Sequence, residues 1–515
     1  MLPLRCFAQN YEWGKAASQS EVAQLAAANG TQLDDSKPYA ELWMGTHPNC
    51  PSTVASTGQS LSSWIQQHQE SLGTAVQQRF GVNLPFLFKV LSVSKALSIQ
   101  SHPDKQLAEQ LRRDHPKLYA DDNHKPEMAL ALEDGFEALC SFASLAEILQ
   151  ALREQPELAA LVGPDAVTRL QAAAAAQAGQ QEGVSDEARQ ALQSAFTALM
   201  QSPPAAVTAA VSALVARLQS KQAAGGPGAG PARSGLTEKE VLALRLDQQY
   251  PGGDVGVLSC FFLNLVKLRK GQAIYLAANE PHAYLAGQLM ECMAASDNVI
   301  RAGLTPKFKH TEVLCSSLTY MPGFPEVLEG ASRCLGSQGC KLGRSGAAAA
   351  GPAGLEPASL EADAAALATA GATLTVYRPP FEEFEIRRVD VPVATRNTLA
   401  THPVTPRSSS GGQAGAEAVL LPADPGPQIL LVQQGEGRLS CAEEGGMADG
   451  LERELDVSRG SILFVPAATA LTLHATQPLT LWVAAVNATF FQLAAATFGS
   501  QAPAEPAPAQ VVTTA

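Results

Sequence analysis

Leu268-Arg-Lys-Gly271-Gln-Ala-Ile-Tyr-Leu276, followed by Pro281, and Val457-Ser-Arg-Gly460-Ser-Ile-Leu-Phe-Val465, followed by Pro466, are two copies of one pattern. In each, a turn glycine leads into a short apolar strand and a proline closes it. That punctuation belongs to double-sheet jelly rolls, and two copies imply two such modules. Other runs read as strands around them. Leu84-Pro-Phe-Leu-Phe-Lys-Val-Leu91 is a buried run, and Leu97-Ser-Ile-Gln-Ser-His102 alternates with period two. Gly256 to Lys267, Gln428 to Gln434 and Leu479 to Ala484 also carry strand texture. His102-Pro-Asp104 ends the second strand, and a polar helix follows to about Arg113.

From 141 to 222 the texture changes to Ala, Leu, Gln and Glu at helical spacing. Ser144 to Leu152 is one amphipathic helix, and Val184 to Leu218 suggests two more. Ala172 to Ala176 and the Gly/Pro run Gly225 to Gly230 read as low-complexity, mobile stretches. The expected class is mainly β: tandem jelly-roll barrels with an inserted α-helical domain. The expected division is a first jelly-roll domain over 1–140 and 236–330, and an inserted helical domain with its linker over 141–235. A second jelly-roll module spans 331–499 with Ala/Gly-rich insertions at 336–371 and 405–417, and a disordered tail covers 500–515.

The chain has 515 residues, of which 46% are hydrophobic, enough to bury a sizeable core. No run approaches the roughly 20 apolar residues of a membrane-spanning helix, so a soluble protein without a membrane partner is expected. A net charge of −13 argues against nucleic acid, whose phosphates are bound by basic surfaces. An anionic substrate would then need a local basic cluster. The nine cysteines contain no C-x-x-C pair, which fits reduced thiols, and the N-terminus is too weakly apolar for a secretory signal. A cytoplasmic location follows as the expectation.

Three segments concentrate potential ligands: Gln100-Ser-His102, His124-Lys-Pro-Glu-Met128 and Asn279-Glu-Pro-His-Ala-Tyr284. Residues two apart on a strand share a face, so Gln100 and His102 can address one point. Pro126 keeps His124 and Lys125 out of a required helix. His102, His282 and Glu127 make the two-His, one-Glu composition of catalytic zinc sites, and Gln100 offers a less common amide oxygen. Spacing alone leaves the other reading open, since a lone histidine on a strand is usually a satisfied core or surface residue. The basic cluster is present in Lys89, Arg301, Lys307 and Lys309. An inward Lys89 in its apolar run demands an anionic partner. Lys307 and Lys309 read equally as a solvated loop, and Arg301 as an ion pair with Asp297 nearby.

Longer strings carry a specific resemblance. Tyr39-Ala-Glu-Leu-Trp-Met-Gly-Thr-His-Pro48, Leu84 to Leu91 with Ser98-Ile-Gln-Ser-His-Pro103, His124 to Met128, Asn279-Glu-Pro-His-Ala-Tyr-Leu285, Glu291-Cys-Met-Ala294 and Ser296 to Lys307 stand in one order. In that order they resemble the type I phosphomannose isomerases, zinc-dependent enzymes of the cupin kind. The resemblance covers 1–140 and 236–330 closely and the C-terminal module loosely. It implies tandem cupin-type barrels, with the first jelly roll as the catalytic domain and one Zn²⁺ per chain on Gln100, His102, Glu127 and His282. It matches Arg301 to the family's active-site arginine, and Lys89, Ser98, Lys125, Tyr284, Glu291, Asp297 and Lys307 to other pocket positions. The expected partner is a phosphorylated hexose, and the expected state a monomer.

The implied reaction is reversible conversion of D-mannose 6-phosphate to D-fructose 6-phosphate, feeding GDP-mannose synthesis. An aldose–ketose shift moves a proton between C2 and C1 through a cis-enediolate whose charge must be stabilised. Glu291 is the first choice for the proton carrier, with a supporting hydrogen-bond acceptor as the other reading. His124 and Lys125 are candidates for ring opening and relay, with Tyr284 and Asp297 beside them. Lys307, Ser98 and Lys89 are expected on the phosphate, Arg301 on either phosphate or enediolate, and His47 in a structural place. Two other classes compete: an Fe-dependent cupin oxygenase and a non-enzymatic sugar-binding cupin. The extra Gln100 and the phosphate-directed cations argue against the first, and a complete ligand set with Arg301 against the second.

Overall fold

The computed structural model describes residues 1–177, 183–224, 235–335, 371–392, 418–441 and 450–498. The Gly225 to Gly230 run, residues 336–370, residues 405–417 and the 500–515 tail lie outside the described residues.

Three β-sheets stack. An eight-stranded sheet runs in the order Ala331–Cys334, Thr373–Tyr377, Glu385–Val391, Leu479–Ala485, Gln428–Gln434, Ile462–Val465, Leu2–Arg5, Thr53–Val54. The first strand of the chain thus completes a sheet built mostly from its last third, with Leu2 paired to Phe464. Leu430, Val432, Leu463, Leu481 and Val483 pack toward a four-stranded sheet made of Ala418–Leu421, Leu471–Ala475, Glu436–Cys441 and Glu454–Ser458. Their neighbours Ile429, Leu431, Ile462, Phe464 and Trp482 pack the other way, against Leu42, Phe88, Met128 and Met290 of the largest sheet. A strand buried on both faces has no polar side to present, which is why Ile429 to Val432 within it is an unbroken apolar run.

The repeat has a structural counterpart. Gly271 and Gly460 both adopt φ of +84° in the turns that open strands Ala273–Leu276 and Ile462–Val465. That left-handed conformation suits glycine and few other residues.

The largest sheet is organised by the thirteen-residue strand His282–Ala294. Its second half pairs with Phe86–Val93 and Glu127–Ala131, and its first half with Phe136–Phe142 and, at His282, with Gln100. The change of partners falls at Gly287, where φ is +114° and an added Cβ would meet the Phe136 Cα at 2.8 Å. Glycine there lets one strand turn a barrel corner. Gly287→Ala is expected to destabilise the fold by about 2–3 kcal/mol from backbone strain and overlap. An unchanged urea midpoint would contradict this account of the corner.

Alternation then decides the position of the site. Leu42, Phe88, Val90, Met128, Met290 and Cys292 face the eight-stranded sheet. The intervening residues Glu41, Trp43, Lys89, Glu127 and Glu291 therefore project together from the opposite face.

The helical layer holds Leu145–Glu154, Pro156–Val162, Pro164–Gln177, Asp186–Met200, Pro204–Ala224, Glu238–Gln249 and Val255–Ser259. Ser144 with Glu147 and Thr237 with Glu240 form capping boxes that fix two of the starts. Leu170, Leu192, Phe196, Leu214 and Leu246 share one core with Phe142, Phe262 and Leu304 of the strand region. Two expectations are corrected. Ala172 to Ala176 lies within helix Pro164–Gln177, in keeping with alanine's high helix propensity. Gly256 to Cys260 does not begin a strand: Asp254 caps a short helix, and Gly256 lies so close to Leu304 that a Cβ would not fit. The strand starts at Leu263. Among the described residues, no single helix is long and apolar enough to cross a membrane.

Candidate active site

Glu127, His102 and His282 arrive from three segments and place one ligand atom each within 4.8 Å of one another, all buried. Glu127 opens strand Glu127–Ala131, His282 opens His282–Ala294, and His102 follows Ile99–Ser101. Each imidazole is oriented from behind. His102 Nδ1 lies 2.7 Å from the Asn298 carbonyl oxygen and His282 Nδ1 lies 3.1 Å from that of Glu280. A carbonyl only accepts, so both Nδ1 atoms carry hydrogen and donate, leaving both Nε2 atoms with a free lone pair. Those Nε2 atoms are buried and make no hydrogen bond among the described residues. They sit 3.2 Å (His102) and 3.7 Å (His282) from the Glu127 carboxylate oxygens.

Buried nitrogen atoms left unsatisfied are costly, and two aimed at one carboxylate are the donor set a divalent ion completes. Burial pushes the His282 pKa down to about 4 and lowers that of His102, so both rings are neutral ligands at neutral pH. Glu127 is held well below its ordinary value although burial opposes this, chiefly because the Lys125 ammonium lies beside it. Lys125 Nζ lies 3.0 Å from Glu127 Oε1, and the Tyr284 hydroxyl donates to Oε2 at 3.3 Å.

A pH dependence follows for the metal-free chain. His282 in the folded state binds its proton only near pH 4, whereas an unfolded histidine binds near 6.5. Between these values the unfolded state holds more protons, so stability is full above 6.5 and falls on acidification toward 4. The loss is on the order of 3 kcal/mol, and Glu127 adds to it in the same direction at the acid end. Urea midpoints measured with chelator present should fall across that window. A constant midpoint would contradict the orphaned-imidazole geometry.

Gln100 stands in register between His282 on one side and Arg301 on the other, and Ser98 Oγ donates to its Oε1 at 3.2 Å. Ser98 is thus engaged with the amide expected as the fourth ligand. Lys89 does find the anion its burial demands, but the protein supplies it. Its ammonium lies 2.9 Å from Glu291 and 3.4 Å from Glu41, and 5.0 Å from the Trp43 ring centre. Those carboxylates hold Lys89 above its ordinary value against the effect of burial. Burial raises Glu291, with Lys89 opposing.

Arg301 is half-buried on strand Ile300–Gly303, with no carboxylate within 4.0 Å among the described residues, so the ion-pair reading of it fails. Asp297 instead pairs with His47, whose Nε2 lies 3.2 Å from its Oδ1, and Asn49 donates to its other oxygen at 3.0 Å. Lys307 is exposed, and Lys309 lies 3.9 Å from Asp254. His124 meets Glu383 at 2.5 Å, in the segment before strand Glu385–Val391, away from the three ligand side chains it was expected to serve. Glu41 and Glu383 are the partners that sequence reading missed. Glu41 was signalled by its place beside Trp43 in a buried strand. Glu383 is 259 residues from His124 and carried no local signal.

Residues 1–145 match a model of the phosphomannose isomerase type I catalytic domain, and residues 161–263 match that of its helical insertion domain. The chain is 40% identical over 492 residues to mannose-6-phosphate isomerase 1 of Arabidopsis thaliana, covering 95% of this chain and 94% of that one. It is 44% identical over 330 residues to mannose-6-phosphate isomerase of Homo sapiens, covering 62% and 74%. A crystal structure of mannose 6-phosphate isomerase bound with zinc and yttrium superposes with a TM-score of 0.65 at 25% identity, covering 95% and 99% of the two chains.

Proposed function

Since the chain belongs to the type I phosphomannose isomerase family, we infer that its site interconverts mannose 6-phosphate and fructose 6-phosphate, an aldose–ketose isomerisation. The carrying observation is the pair of unpartnered buried Nε2 atoms facing Glu127, beside a second buried carboxylate, Glu291. His102, Glu127 and His282 hold one zinc ion, with Gln100 as the neutral fourth ligand. Bound there, zinc supplies a Lewis acid for the negative charge that develops on the sugar oxygens.

The remaining work belongs to side chains. Glu291 carries the proton between C2 and C1, and its burial supports this by raising its basicity toward the working pH. Lys89 balances its charge, so that a second carboxylate can be buried near Glu127. Tyr284 and Lys125 hold the Glu127 carboxylate in place, and Ser98 orients Gln100. Arg301, a half-buried cation without a carboxylate partner among the described residues, takes negative charge of the substrate. Lys307, exposed beyond it, grips the phosphate, anchoring the sugar away from the reacting carbons. Asp297, engaged with His47, shapes the rim and carries no proton.

The division into a first jelly roll, a helical insertion and a second jelly roll is part of this reading, supported by the common core of the helices. The net charge of −13 speaks against a nucleic-acid partner, and a small anionic substrate is held against it by a local cationic cluster. A coupled assay should show turnover of mannose 6-phosphate and none of unphosphorylated mannose. Equal rates on both sugars would overturn the role of the cationic rim.

A further inference from the structure

Asp121 lies in the loop between helix Lys105–Asp114 and strand Glu127–Ala131. Its carboxylate accepts four hydrogen bonds. Oδ1 takes them from Ser296 Oγ at 2.8 Å, Asn123 N at 2.9 Å and Asn298 Nδ2 at 3.1 Å, and Oδ2 from Asp297 N at 2.8 Å. Three of these donors sit on consecutive residues, 296–298, in the turn between strands His282–Ala294 and Ile300–Gly303. The same turn is tied down again by the Asn298 amide, which donates to the backbone oxygens of Asp121 and Asn123, each at 2.9 Å. Ser296 Oγ in turn accepts from Asn298 N at 3.2 Å.

Asn298 is the residue whose carbonyl takes the His102 Nδ1 hydrogen at 2.7 Å. Three residues later, Arg301 pairs with Gln100 across the strand. No cation lies within 4.0 Å of Asp121 among the described residues, so its charge is balanced by oriented N–H and O–H dipoles, all from the turn or its own loop. A carboxylate fully committed in this way fixes geometry at a distance from the chemistry.

We propose that Asp121 is a positioning residue. By clamping the turn 296–298 it holds the Asn298 carbonyl on His102 and so aims the His102 Nε2 lone pair at the metal. It also sets the start of the strand that presents Arg301. The inference rests on the reading of His102 as a metal ligand. Residues that orient a ligand from behind are worth about 10–100-fold in metal affinity.

The full chain, stripped with chelator and titrated with cobalt(II) or zinc, tests this. Asp121→Asn replaces an acceptor oxygen with an amide donor, and either orientation of that amide sets a donor against the donors of the turn. The expected result is binding of both metals weakened about tenfold or more, with a shifted visible absorption band in the cobalt protein. Ser296→Ala, which deletes one of the four bonds to Asp121 together with the Asn298 N–H bond to the same hydroxyl, is expected to move affinity less in the same direction, and decides the question if Asp121→Asn does not fold. Unaltered affinity and cobalt spectrum in the folded variant, with only the unfolding midpoint lowered, would reduce Asp121 to loop packing and overturn the proposal. His102→Ala is the control that separates the two readings. If it leaves the cobalt spectrum of the chain unchanged, the metal reading itself has failed, whatever Asp121 does.

Discussion

Replacing His282 with alanine is expected to remove the metal and the isomerase activity together. The ring is fully buried, its Nδ1 is committed to the Glu280 carbonyl and its Nε2 meets no hydrogen-bond partner among the described residues, so its available chemistry is that single lone pair. Residues that merely support a ligand contribute about 10–100-fold to affinity, and loss of a ligand itself should exceed about 100-fold. Misfolding would not imitate this result. Deleting an orphaned buried nitrogen relieves an unsatisfied group while opening a small cavity, so the metal-free variant should stay within about 2 kcal/mol of the metal-free parent. Zinc content and turnover of purified protein, with urea midpoints in chelator, read all three quantities. Full turnover in His282→Ala, or retained stoichiometric zinc, would remove this histidine from the site.

Arg301→Ala is expected to behave in the opposite way toward the metal. Zinc content should be unchanged while kcat falls by about 10²–10³, the effect of withdrawing one preorganised positive group from developing charge. The fold should tolerate the change because no buried carboxylate is left unpaired: Arg301 has no such partner among the described residues. Lys89→Ala lacks this advantage, since it would strand Glu291 and Glu41 together in the interior. A fall in kcat assigns Arg301 to the charge that develops during proton transfer. A change confined to KM would assign it to the phosphate, and unchanged kinetics would take it out of the reaction.

These two substitutions concern residues that were legible in the sequence, and the reason is local. Gln100, His102, Glu127 and His282 each stand at or beside a strand end marked by proline, and the strings around them resemble one family in a fixed order. Their convergence was not legible from spacing. It depends on the long strand His282–Ala294 changing partners at Gly287, so that His282 at its start meets Gln100 while Glu291 in its later part meets Lys89. The partners of charged groups were the hardest to foresee. Lys89 was read as needing an anion, correctly, but the pairing with Glu291 and Glu41 follows from cross-strand register. Asp297 was placed with the chemistry, yet it is engaged with His47, and His124 is drawn to Glu383 of the C-terminal part.

At the level of the fold, period and punctuation carried far. The strand Phe86–Val93 is buried at every position, and the two glycines of the repeat share one conformation. Misreading came where tertiary contact overrode texture. Gly256-Val-Leu-Ser-Cys is as apolar as a strand, but the Asp254 cap and the closeness of Leu304 make it helical. Alanine repeats such as Ala172 to Ala176 are ambiguous in sequence because low complexity and high helix propensity look alike.

Metal content measured alongside turnover, before and after stripping, bears most directly on the idea that one ion joins these distant strands into a working centre. Purified chain should carry one zinc, lose mannose 6-phosphate turnover when it is chelated away, and regain it on return of a single equivalent. Undiminished turnover by a chain shown to be free of metal would contradict it.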